Sequence, residues 1–74
     1  MQTQINVIEN FYKELIDELK VDAETMTNTL INGNSSQQHK AIMFQKYRLW
    51  FFQALKSLEI ERNNKIQHLI NLPI

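Results

Sequence analysis

Only one place in the 74 residues is built to turn the chain. The run Asn32-Gly33-Asn34-Ser35-Ser36 holds the single glycine and the only cluster of turn-forming side chains, and the single proline, Pro73, stands next to the C-terminal residue. Glycine and proline are the strongest local breakers of regular structure. The long stretches on either side of Gly33 are therefore free to form uninterrupted elements, and the chain reads as one domain, 1–74.

The spacing of apolar residues says which element. Ile5, Ile8, Tyr12, Leu15, Leu19, Met26 and Leu30 recur at intervals of three, four and seven, which is the stripe of an amphipathic helix. Asp22 takes the slot between Leu19 and Met26. A break at Val21-Asp22, with Asp22 capping a short second helix, is one option. A single helix from about 4 to 32 is the preferred one, because the phase of the stripe survives the gap. Thr25, Thr27 and Thr29 are poor helix formers and mark its weaker part. Gly33 then suits the left-handed residue that ends many helices.

Ser35 or Ser36 can cap a second helix, its hydroxyl accepting from a free backbone N–H. Ala41, Phe44, Tyr47 or Arg48, Phe51, Leu55, Leu58, Ile66 and Leu69 then keep a 3.6-residue period, predicting a helix from about 36 to 71. The fold class is all-α, an antiparallel hairpin of two long helices. With the turn near Gly33, residues whose numbers total about 68 should face each other.

The second helix carries more apolar surface than a hairpin can use. Ile42, Met43, Leu49, Trp50, Phe52, Ala54 and Ile60 spread around the cylinder outside the main stripe. Large aromatics on a face with no partner imply a second contact surface. Chains of this size have marginal cores and gain stability from disulfides, metals or oligomerisation. Cysteine is absent, and His39 and His68 stand at opposite ends of the second helix, so oligomerisation remains. A homodimer forming a four-helix bundle is the first expectation, and a larger protein partner is the second. Folding of 22–32 over this face is a third, and it needs the break in helix 1. The expected partner-binding residues are Leu49, Trp50, Phe52, Ile60 and Arg62.

Arg62 interrupts the main stripe between Leu58 and Ile66. Either its guanidinium reaches water along the aliphatic stem, or it forms a partly buried ion pair that sets the register, with Glu9 as the acid. Charge is uneven although the net is zero: residues 1–36 hold six acids against Lys13 and Lys20, and residues 37–74 hold six bases against Glu59 and Glu61. A hairpin would lay the acidic helix beside the basic one, each neutralising the other. The basic half could instead bind nucleic acid, but Lys46 and Lys56 point away from Lys40, Arg48, Arg62 and Lys65, so no coherent phosphate-tracking face forms.

Catalytic signals are missing. No glycine-rich phosphate loop, nucleophile elbow, His-x-x-Glu or carboxylate pair with a base occurs. Tyr12 reads as a core residue with its hydroxyl at the rim, and His68 as a solvated side chain near a helix C-terminus, where positive charge is favoured. No cofactor or metal is expected. The N-terminal Met1-Gln2-Thr3-Gln4 lacks a basic leader and no apolar run suits a membrane span. The Asn34-Ser35-Ser36 sequon is accordingly read as chance, and the chain as cytoplasmic and soluble.

The stretch Leu49 to Ile66, with Leu-Glu-Ile-Glu-Arg-Asn-Asn-Lys-Ile at 58–66, resembles the long helix of GINS replication-complex subunits, and Phe11-Tyr12 matches an amphipathic helix that precedes it there. The likeness covers about half the chain, and the β-rich domain of those subunits has no counterpart in these residues, so family membership does not follow. In architecture alone, a dimerising helical hairpin resembles Rop, the plasmid RNA-binding bundle. The resulting expectation is a non-enzymatic protein–protein interaction, assembly or regulatory protein, with a small phage- or plasmid-type inhibitor within that range. The alternatives are a Rop-like nucleic-acid-binding bundle and a helical subunit of a larger complex such as a replication complex.

Overall fold

The computed structural model describes residues 2–72, and Pro73, expected to stop the second helix, lies outside them. Helix α1 spans Gln2–Asn32 without a break, and α2 spans Gln37–Ile70. They pack antiparallel into a flat rod of 60 × 16 × 8 Å.

Continuity of α1 through Asp22 has a local cause. Asp22 is exposed, on the rim beside the half-buried Ala23, so no charge has to enter the interface. In the threonine-rich segment, the Thr27 hydroxyl donates to the Ala23 carbonyl (2.8 Å) and the Thr29 hydroxyl to the Thr25 carbonyl (2.9 Å). Bonds of this kind, one turn back, satisfy the hydroxyls inside the helix. The stripe of α1 faces α2 as expected, with Tyr12 2% and Leu19 9% exposed.

The turn differs from expectation at Gly33. No residue among those described has a positive φ, so Gly33 is not a left-handed cap. Its N–H instead donates to Leu30 O in a tight final turn (3.3 Å). The Ile31 carbonyl, left free by the end of the helix, accepts from the Lys40 ammonium at 2.9 Å. A cation from the next helix thus does part of the work a glycine cap would do, where the negative end of the helix dipole favours it. Ser36 caps α2, its hydroxyl accepting from His39 N–H at 3.2 Å with an extended backbone (φ −62°, ψ 157°).

The buried stripe of α2 also starts differently. Lys40, Met43 and Tyr47 are half-buried, whereas Ala41 and Phe44 are exposed; from Phe51 onward, Leu55, Leu58, Ile66 and Leu69 take their expected half-buried places. Ala41 and Phe44 keep the 3.6-residue period as well as Lys40 and Met43 do. Lys40 is half-buried where its ammonium meets the Ile31 carbonyl.

Register is shifted as well. A total near 68 would set Lys56 against Tyr12, but Lys65 stands over that ring, Nζ 5.4 Å from its centroid. In a helix every Cα–Cβ bond leans toward the N-terminus. In an antiparallel pair, side chains of α1 therefore lean toward the open end and those of α2 toward the turn, so contacts join residues whose backbones are about a turn or more out of line. Glu9 and Arg62 are the other pair expected to face each other across the hairpin. Their ion pair is not formed: Glu9 is exposed, and the half-buried Arg62 donates from Nε to Asn63 Oδ1 on its own helix (3.3 Å).

Candidate interaction surface

Burial is lopsided. Among the described residues Tyr12 and Leu19 are the buried core, no residue of α2 is fully buried, and large apolar side chains stand in solvent along both helices. Of the residues expected to bind a partner, Leu49 (60%), Phe52 (52%), Ile60 and Trp50 are exposed, while Arg62 is half-buried.

These five do not share one face. At about 100° per residue, Leu49 and Ile60 lie on the back of α2, opposite α1. Trp50 falls on one edge of the α1 contact, and Phe52 and Arg62 fall toward the other. The edge holding Phe52 is the more developed. Phe44, Arg48 and Phe52 follow one another at steps of four along it, and the Arg48 guanidinium lies 5.6 Å from the Phe52 ring centroid. A cation over an aromatic face contributes about 0.5–1 kcal/mol at exposed sites. Phe51 meets Phe52 edge-on, centroids 5.8 Å apart, tying this edge to the helix contact.

Beside this edge runs an open groove of about 310 Å³ between the helices, lined by Ala23, Thr27, Phe44, Tyr47, Arg48 and Phe51. A second depression continues toward the turn past Ile31 and Ala41. Phe44 and Ile31 are thus parts of the surface that the sequence does not reveal: Phe44 reads as core, and Ile31 falls off the α1 stripe. The half-buried Met43 one residue earlier is the signal that could have released Phe44 from the core.

Tyr12 is nearly fully buried rather than at a rim, packed edge-on against Phe11 with centroids 5.3 Å apart. Hydrogen bonding to Tyr12 raises the Lys65 ammonium above its ordinary pKa of 10.5, and Glu61 adds to this. Acidic α1 does lie beside basic α2, and Glu9, Glu14, Asp17, Glu18, Asp22 and Glu24 are all exposed. Among the described residues no group of three His, Asp or Glu could hold a metal ion, and no helix is long and apolar enough to cross a membrane.

Compared with known proteins, the chain matches no family model, no curated protein and no solved structure.

Proposed function

We propose that this chain is a non-enzymatic interaction protein, an assembly or regulatory subunit of the cytoplasm that docks on protein through the apolar surface of α2. The observation that supports it is the contrast between a core of two buried residues and the exposed Phe44, Leu49, Phe52 and Ile60 on a single helix. Exposed apolar area of this kind marks contact sites. A role in binding nucleic acid has less support, because Lys40, Arg48 and Lys65 are engaged with Ile31, Phe52 and Tyr12, leaving fewer free cations to track phosphates.

The test separates folding from docking. Phe51→Ala removes a half-buried ring at the helix contact and should destabilise the hairpin by about 3 kcal/mol. Phe52→Glu should leave helicity unchanged and abolish association. A photo-crosslinking residue at 52 should capture protein in the cell of origin, whether another copy or a different chain, and one at the exposed, polar Asp17 should not. A well-folded monomer that cross-links at neither position, and whose behaviour Phe52→Glu does not alter, would overturn the proposal.

A further inference from the structure

Resting on the docking role just proposed, we infer that the partner is a second copy of this chain, laid on the groove side of the hairpin with α1 of each copy against α2 of the other and both turns at the same end.

Area supports a partner of this size. The hairpin exposes 5992 Å², whereas a compact chain of 8.8 kDa exposes roughly 4800 Å². The excess, about 1200 Å², is slightly more than the roughly 600–1000 Å² that each partner loses in a stable interface.

Charge supports a second copy and selects its orientation. Taking about 100° per residue, Thr27 on the groove side of α1 is continued toward the open end by Glu24, Lys20, Lys13 and Glu9. On the same side of α2, Phe44 is continued by Arg48, Phe52 and Glu59. Two identical flat faces can pair about a two-fold axis in either of two ways. With the axis across the helices, α1 covers α1 in reverse, setting Glu9 near Glu24 and Lys13 near Lys20 of the other copy, like-charge contacts that outnumber the favourable Arg48–Glu59 ones on α2. With the axis along the helices, α1 covers the other copy's α2. Glu24 then comes within about a turn of Arg48, and Lys13 within about a turn of Glu59, both pairs opposite in sign. Lys13, Glu24, Arg48 and Glu59 are all exposed, and Arg48 lies over the Phe52 ring within the face that would be covered. The same overlay sets Thr27 on Phe44 and Lys20 on Phe52, covering the exposed rings with methyl and methylene groups.

Two measurements test this. Sedimentation equilibrium of the purified chain should give a dimer. Glu24→Arg alone and Arg48→Glu alone should each raise the dimer dissociation constant by about tenfold, with helicity retained. An equimolar mixture should recover association near the original strength, because in the mixed dimer each Arg again meets a Glu. The chain lacks cysteine, so a spin label at Asn34→Cys reports a single position. The two labels should lie much closer than the 60 Å length of the hairpin. A dimer with labels separated by nearly that length, or no recovery in the mixture, would overturn the arrangement. A folded monomer at all concentrations would overturn the second copy while leaving docking on a different protein intact; that broader role is tested separately by the cross-link at 52.

Discussion

The Lys65 ammonium lies 5.4 Å from the centroid of the Tyr12 ring, across the helix contact and over the most deeply buried side chain of the protein. This contact fixes the pairing of the two helices at their open half. Tyr12→Ala should therefore cost about 3–5 kcal/mol, as for other large aromatic truncations in a core. Tyr12→Phe keeps the ring and loses only the hydroxyl, and should cost about 1 kcal/mol. Urea unfolding of both variants measures the difference.

The same contact gives a pH dependence. Because Tyr12 raises the Lys65 pKa in the folded protein, the contribution of Lys65 is fully present below the unfolded value of 10.5 and is lost as pH rises through the higher folded value. Stability should show no change from this source at neutral pH and a fall beginning above 10.5. Lys65→Met should remove that component of the alkaline loss, read as a flatter dependence of the urea midpoint on pH.

At the other end, Lys40 ties α2 to the last turn of α1 through Ile31 O. Lys40→Met keeps the stem and removes the charge, and should cost about 0.3–1 kcal/mol, the range for a cation at a helix C-terminus. Amide exchange should quicken around residues 29–33 and stay unchanged near Tyr12. Uniform quickening along both helices would mean that the contact serves the whole hairpin.

Gly33→Ala discriminates between two ways of ending α1. A left-handed residue would lose about 1 kcal/mol or more on gaining a Cβ. Gly33 has no positive φ, and an added Cβ meets Thr29 O at 3.3 Å and Leu30 O at 3.5 Å, a tight but not prohibitive fit. The gain of about 0.4–1 kcal/mol from a stiffer unfolded chain offsets that crowding. The net change should lie within about 0.5 kcal/mol of zero in thermal or urea unfolding.

The architecture was legible in the sequence because it depends on local rules. One cluster of turn residues, a heptad stripe through Tyr12 and Leu19, and a serine ahead of α2 suffice to specify two helices and a reversal. Excess apolar residues on α2 were legible for the same reason, since a hairpin can bury only one stripe per helix. Tertiary structure alone settled which way each helix turns about its axis and how far one slides along the other. Phe44 stands outside, where periodicity would equally have allowed it inside. The opposite lean of side chains on antiparallel helices brings Lys65, not Lys56, to Tyr12, while Arg62 bonds Asn63 on its own helix and Glu9 stays exposed. Rotation and sliding depend on contacts between residues far apart in the chain, and helical spacing within either half is blind to them.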